Sequence, residues 1–305
     1  MKLRATIALL AAFALMVGCD VGKTASQASA RRVMVATLIQ TPEITVPREA
    51  LAIPIPDAGG FTFDGGLPFD AGFSPFTADG KLLLREETLS FAFFGERQGD
   101  GLTQAPVPLD GTTLFVQAGE NPRLEMRLDN STGAYQLSSL DNPAMKYLEG
   151  EKYTFTANNQ SENYITEIAA VPPHEQIVAF HPPDGFIHLN AGQQFVFVRS
   201  DPPENQDRDL GFVTVLPITD EGKRGIPTWT NVPTDAFGLL KLVAAPGAYK
   251  RSEVTIPGEA FPDRDSNYLI LLQTARLGGP QTANLFIGSA IMAGTAEVGI
   301  VKTDP

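Results

Sequence analysis

The three histidines of the chain, His174, His181 and His188, follow one another at intervals of seven residues. They are the first candidates for metal binding, because neutral imidazole is a common metal ligand. A pair of prolines precedes His174 and another follows His181, which prevents a continuous helix that would align the three on one face. In an extended chain, seven residues span roughly 23 Å and end on the opposite face of the strand. The spacing therefore predicts ordinary strand or loop histidines and no metal site.

A second candidate site is the acidic turn that contains Asp263, Asp265 and Asn267. These three residues match positions 1, 3 and 5 of a calcium-binding loop. The glycine expected at position 6 is replaced by Tyr268, and the carboxylate expected at position 12 is missing. The three residues are weak candidates for calcium ligands, and the alternative is a solvated turn.

Motifs of known catalytic chemistry are missing from the sequence. It contains no G-x-S-x-G nucleophile motif, no H-E-x-x-H zinc motif, no P-loop and no dinucleotide-binding G-x-G-x-x-G between a strand and a helix. We therefore expect a protein that is not an enzyme and has no cofactor. A catalytic triad or a carboxylate pair assembled from distant residues stays open at this point.

The N-terminus carries the most specific pattern in the chain. Lys2 and Arg4 supply a basic start, an apolar run extends from Ala5 to Val17, and Gly18 precedes Cys19, the only cysteine. The run is shorter than the ~20 apolar residues that a transmembrane helix needs. The pattern resembles the signal peptide of a bacterial lipoprotein, which implies cleavage before Cys19 and lipidation of its thiol. Plain secretion and a retained membrane anchor are the alternatives.

The resemblance also implies a location. Lipid on Cys19 would anchor the protein in the bacterial cell envelope, in the inner or outer membrane, facing the periplasm or the cell surface. Asp20 resembles the inner-membrane retention signal of some bacteria, whereas other bacteria follow different rules, so the membrane stays open.

Composition limits the partners and the sources of stability. The formal net charge is −12, and binding to nucleic acid needs clustered Lys and Arg, so we expect no nucleic-acid partner. A single cysteine allows no internal disulfide. The folded state must therefore depend on apolar cores, for which 43% hydrophobic residues are sufficient.

The strand pattern predicts an all-β protein with two tandem β-sandwich domains. Short runs of β-branched and aromatic residues recur between Gly, Pro, Asn and Asp clusters. The predicted segments are the signal peptide (1–18), a flexible tether (19–31), a first sandwich (32–171) with a Gly/Pro/Phe-rich insertion (54–76), and a second sandwich (172–305). Paired prolines mark the boundary between the two sandwiches.

The insertion at 54–76 contains five phenylalanines and three aspartates that each begin an Asp-Ala-Gly or Asp-Gly-Gly step. We expect a long, partly disordered insertion whose phenylalanines fold back onto a sheet. A ligand-contacting loop and a calcium site are the alternatives, and the aspartate spacing is unlike that of a calcium loop.

Two stretches resemble known sandwich modules. Residues 107–171 are similar in pattern to fibronectin type III, immunoglobulin-like or prealbumin-like modules, and Gly133 and Tyr135 resemble the G-x-Y step of carboxypeptidase-regulatory-like modules. Residues 254–279 resemble a fibronectin-like or immunoglobulin-like corner in which Tyr268 bonds to nearby backbone. The resemblance implies a fold and no activity.

These observations predict a lipid-anchored envelope protein that acts as a non-catalytic binding, adhesion or assembly module. Its expected partners are the membrane, through lipid on Cys19, and an unknown envelope protein or glycan. The alternatives are a carbohydrate-active enzyme or accessory factor, and a calcium-stiffened structural spacer.

Overall fold

The structure is a computed structural model that describes residues 21–46, 82–98, 106–129, 133–202, 204, 206–218, 226–232 and 246–305. These residues form the helix α1 (Val21–Ser29), seventeen strands and three short 3-10 turns. The strands are β1 (Arg32–Thr41), β2 (Ile44–Val46), β3 (Leu82–Leu84), β4 (Glu87–Glu96), β5 (Val107–Pro108), β6 (Thr112–Ala118), β7 (Leu124–Asp129), β8 (Ala134–Ser138), β9 (Tyr153–Asn159), β10 (Glu162–Ile168), β11 (Ile187–Leu189), β12 (Phe195–Val198), β13 (Leu210–Ile218), β14 (Trp229–Thr230), β15 (Glu253–Ile256), β16 (Asn267–Pro280) and β17 (Ala290–Thr303). The 3-10 turns are Val178–Phe180, Pro246–Tyr249 and Gly258–Ala260. The predicted all-β class is confirmed for this part of the chain.

The chain divides into two compact units, each built from three segments. The first unit contains Met1–Ile39, Thr88–Val171 and Arg276–Ala293, and the second contains Gln40–Glu87, Pro172–Ala275 and Gly294–Pro305. The predicted boundary after residue 171 is one of the junctions, but the predicted contiguous domains, 32–171 and 172–305, differ from these units. The reason is that β16 and β17, each 14 residues long, contribute residues to both units, which a local sequence pattern does not reveal.

In the first unit, one path of hydrogen-bonded strands runs β17-β1-β4-β8-β7-β6-β9-β10-β16, and β5 pairs with β4. β9 and β10 form a hairpin in which Asn159 lies opposite Glu162, and Gln160, in the turn between them, has a positive φ of 55°. The core has alternating inward residues from several strands, as expected for half-buried strands. Its central members include Met34, Leu38, Phe94, Leu114, Val116, Phe155 and Ile291.

In the second unit, the strands of one sheet follow the order β11-β17-β16-β13-β14, and β12 pairs with β15 in a separate two-stranded ribbon. The sheet and the ribbon share one hydrophobic core, so this unit packs like a sandwich. Its members include Phe197, Val213, Val215, Ile256, Ile270, Leu272 and Val301. Trp229 is partly buried and packs against this core. The strands β2 and β3, also in this unit, form a second two-stranded ribbon.

The predicted flexible tether at 19–31 is corrected in part, because Val21–Ser29 form α1. The helix is docked on the first unit by Gln27, which is 6% exposed. The side-chain amide of Gln27 donates hydrogen bonds to the carbonyl oxygens of Pro280 (3.3 Å) and Thr282 (3.1 Å). Composition suggested a tether because the residues are small and polar; the tertiary bonds of one glutamine hold the segment in place. Cys19 and the insertion at 54–76 lie outside the described residues, and both predictions about them stay predictions.

Candidate functional site

The candidate site is a buried carboxylate held by two histidines in the second unit. Glu297 lies on β17 and is 3% exposed. His174 Nε2 lies 2.9 Å from one carboxylate oxygen, Oε2, and His181 Nε2 bonds the other oxygen, Oε1. The backbone N–H of Ile177 also points to Oε1, at 3.5 Å. We call His174, His181 and Glu297 the histidine clamp.

The chain between the two histidines is not fully extended, so both can reach Glu297. The 3-10 turn Val178–Phe180 shortens the path that an extended chain would take. Phe180 packs closely on β17 at Gly299, where an added Cβ would lie 2.9 Å from Phe180 Cγ. The sequence prediction that the histidines lie apart is therefore wrong for His174 and His181, because it assumed an extended chain.

The electrostatics of the clamp favour an ionised carboxylate. Burial by itself raises the pKa of Glu297, but the hydrogen bonds and charges of His174 and His181 outweigh burial, so its pKa lies below the ordinary value of 4.5. A histidine oriented by a carboxylate can transfer protons. Here both imidazoles use Nε2 to bond the same carboxylate, which favours an anchoring role for the pair over proton transfer.

The clamp does not form a metal centre. Among the residues described, no group of three or more His, Cys, Asp or Glu side chains is placed to hold a metal ion. The two imidazoles bond different oxygens of Glu297, which is how a carboxylate accepts two separate hydrogen bonds.

The third histidine, His188, takes no part in the clamp. Its Nε2 lies 2.7 Å from Asp184 Oδ2, and both side chains are at least half exposed. The hydrogen bond from His188 lowers the pKa of Asp184 below its ordinary value. This is a surface ion pair four residues apart, of a kind that contributes little to stability.

A second buried charged group lies next to the clamp in sequence. Glu175, which follows His174, accepts a hydrogen bond of 2.6 Å from Arg199 Nη2, and the Arg199 side chain is 1% exposed. Arg199 Nε lies 3.0 Å from Glu175 Oε1, and the Thr274 hydroxyl donates to Glu175 Oε2 at 2.8 Å. Such a bidentate pair compensates the cost of burying both charges. Sequence reasoning missed it, because nothing distinguishes these two residues among the other charged residues.

The calcium candidates are placed in a hydrogen-bonded corner. The hydroxyl of Tyr268 donates to Asp263 Oδ2 at 3.2 Å and accepts from the backbone N–H of Asp263 at 3.0 Å. Asp265 has a positive φ of 47°, and Asn267 begins β16, opposite Ile218 of β13. The predicted bond between Tyr268 and nearby backbone is present, with the hydroxyl accepting. The Asp263 carboxylate is already engaged, so the geometry gives the calcium interpretation no added support.

The first unit contains a corner of the same kind, which sequence analysis missed. The hydroxyl of Tyr153 accepts from the backbone N–H of Leu148 at 2.8 Å and donates to the carbonyl oxygen of Lys146 at 2.5 Å. Burial raises the pKa of Tyr153 to about 12. In both units, a tyrosine near the start of a strand bonds the N–H five residues earlier. In both corners the tyrosine follows a turn that contains glycine or aspartate. This sequence pattern could have predicted the corner at Tyr153.

A cavity of 280 Å³ opens in the first unit, near the same corner. Its lining includes Val116, Leu124, Met145 and Leu148, together with Lys146. It is slightly smaller than the ~300–1,000 Å³ of typical small-molecule sites. Its mostly apolar lining would suit one apolar side chain better than a whole ligand.

No protein-family model matches the chain, and a search of curated proteins finds no match either. Within the residues described, none of the helices is both long enough and apolar enough to span a membrane.

Proposed function

We propose that the protein is a bacterial lipoprotein, anchored in the cell envelope by lipid on Cys19, that acts as a non-catalytic binding, adhesion or assembly module. The observation that carries the proposal is the position of the only cysteine. It directly follows Gly18 at the end of a short apolar run with a basic start. Two or more acyl chains on one residue hold a protein firmly in a bilayer.

The strand-rich units support a role in presenting surfaces. The buried carboxylates described above are already paired, Glu297 with His174 and His181 and Glu175 with Arg199, and pairs of this kind fix one arrangement of a scaffold. We further propose that both units are immunoglobulin-like or fibronectin-like sandwiches. The matching bonds of Tyr153 and Tyr268 support this assignment, since a tyrosine corner is typical of those folds.

Mass spectrometry of the protein recovered from its host tests the anchor. We expect the mature N-terminal peptide to begin at Cys19 and to carry thioether-linked lipid, and the protein to sediment with membranes. The variant Cys19→Ser should lose the lipid and leave the membrane fraction. A mature N-terminus with an unmodified thiol would favour plain secretion, and an uncleaved apolar run would favour a retained anchor; either result refutes the proposal.

Incubation with isolated envelope glycans and envelope proteins tests the non-catalytic role. We expect saturable retention of an envelope component with no change in its mass. Release of shorter glycans would overturn the non-catalytic part of the proposal in favour of a carbohydrate-active enzyme. The lipid anchor would be unaffected by that outcome.

A further inference from the structure

The start of α1 lies very close to the proposed lipid anchor. Cys19 and Val21, the first residue of α1, are two positions apart. Two residues of chain span at most ~7 Å, even when fully extended. If Cys19 carries lipid, as proposed above, the first turn of α1 is held within roughly that distance of the bilayer surface.

The helix is fixed to the first unit near its C-terminal end. Beyond the two bonds from the Gln27 side chain, the carbonyl oxygen of Gln27 accepts from the N–H of Ile287 at 3.0 Å. After the helix, Arg97 Nη1 donates to the carbonyl oxygen of Ala30 at 3.2 Å, and the N–H of Arg97 donates to the carbonyl oxygen of Arg31 at 2.8 Å. The anchor therefore holds the first unit as well as the helix.

The outer face of α1 is small and uncharged. Ala25, Ser26 and Ser29 are exposed, whereas Gln27 is buried. Residues three and four positions apart share a helix face, so Ser29 lies beside both Ser26 and Ala25, and the three form one side that points away from the unit. Short side chains along a helix of about 13 Å allow lipid headgroups to approach closely.

The stretch of sequence that contains α1 is basic, unlike the chain as a whole, and Glu96 of β4 pairs with Arg32 at 2.7 Å. No acidic residue occurs between Asp20 and Glu43, whereas Lys23, Arg31 and Arg32 all lie in that interval. The Arg31 side chain is 82% exposed, and Glu96 lies 3.6 Å from its Nη1. A basic area of this kind attracts anionic headgroups within a Debye length of the surface, although the complete chain has a net charge of −12.

We propose that the outer face of α1, together with Lys23 and Arg31, is a membrane-contact surface that holds the first unit directly on an anionic phospholipid bilayer. This inference rests on the proposed lipid anchor and replaces the flexible spacer that composition suggested. The partner is the bilayer itself, because only one residue, Asp20, separates the helix from the lipid-bearing cysteine.

Quenching by spin-labelled lipid headgroups tests this surface on the full-length mature, lipidated protein in vesicles of phosphatidylethanolamine and phosphatidylglycerol. Ser26→Cys places a fluorophore on the outer face of α1, since the lipidated Cys19 cannot react. Glu120→Cys is the control, because Glu120 is exposed on the turn after β6. In the sheet, β9 and β10 separate β6 from β16, the strand whose Pro280 bonds Gln27 of α1. We expect quenching at position 26 to exceed quenching at position 120 by at least threefold.

Two further variants separate the possible outcomes. A ten-residue Gly-Ser insertion between Asp20 and Val21 should reduce quenching at position 26 to the control level without changing the lipid mass. Arg31→Gln should reduce it on anionic vesicles, whereas Arg123→Gln, on the exposed turn before β7, should not. Equal quenching at positions 26 and 120 in protein whose lipid is verified by mass would overturn the membrane-contact surface alone. A missing lipid would instead refute the proposed function.

Discussion

Replacing Glu297 with glutamine is the most direct test of the histidine clamp. The change keeps the shape of the side chain and removes its charge. A glutamine oxygen can accept a hydrogen bond from only one of His174 and His181, and its amide group would face the N–H of the other. A hydrogen bond to a charged group contributes about 1.5–3 kcal/mol. We therefore expect the free energy of unfolding to fall by about that amount at neutral pH, or Tm to fall by roughly 3–12 °C.

The pH dependence follows from the direction of the pKa shift. Because the pKa of Glu297 in the folded protein lies below its ordinary value of 4.5, its ionised form stabilises the fold. This contribution is complete above the unfolded pKa, declines as the pH falls below about 4.5, and is lost once the pH passes the lower, folded pKa. The difference in stability between wild type and Glu297→Gln should therefore shrink as the pH falls below about 4.5, where protonated glutamate resembles glutamine.

Urea unfolding followed by the fluorescence of Trp229 measures this difference, because Trp229 packs against the core of the second unit. The matched control is His188→Ala, since His188 is half exposed and pairs with an exposed aspartate; its midpoint should equal that of wild type. An unchanged midpoint for Glu297→Gln at pH 7 would refute the energetic role of the clamp. A difference that persists undiminished at pH 3 would refute the ionised carboxylate as its cause.

Two further predictions concern the corners and one close approach of backbone. Tyr153→Phe and Tyr268→Phe should each destabilise their own unit by about 0.5–1.5 kcal/mol, because each removes the hydroxyl that accepts a hydrogen bond from a backbone N–H. Circular dichroism detects the first change and Trp229 fluorescence detects the second. Two unchanged midpoints would contradict the shared corner. Gly258→Ala should cost about 1–3 kcal/mol or more, because its Cβ would lie 1.9 Å from a backbone carbonyl oxygen. Gly247→Ala is its control, with nothing within 4 Å, and equal urea midpoints for the two variants would contradict the steric reason.

The sequence predicted local structure better than it predicted which segments share a core. Short β-branched and aromatic runs and the turn residues between them were enough to predict the all-β class. They were also enough for the corner at Tyr268, since both depend on neighbouring residues. The assignment of residues 276–293 to the first unit could not be predicted, because a long strand has the same pattern whichever core it covers. The helix at 21–29 was missed for a related reason, since it is held by tertiary bonds of Gln27.

The histidine clamp was missed although one signal was present. Glu297 is a lone carboxylate in an otherwise mostly apolar strand, Ala290–Thr303. A charge in such a strand needs a partner, because an unpaired buried charge is too costly to keep. Among the residues of the sequence, the histidines could have served as partners of this carboxylate. Their spacing argued against a shared contact, because the chain between them was assumed to be extended. The 3-10 turn at Val178–Phe180 removes that objection.

The two charged clusters together explain how a segment without strand pairing keeps its position. Residues 172–177 belong to no strand, so no ladder of backbone hydrogen bonds sets their register. His174 and Glu175 are neighbours in sequence, yet His174 bonds Glu297 and Glu175 bonds Arg199. A slip of one residue would bring Glu175 towards Glu297, and two carboxylates in one buried place repel strongly. Buried charges of this kind specify one arrangement more than they add stability. The two pairs therefore fix the register of residues 172–177. The partly exposed histidines and the buried arginine determine the position of this segment.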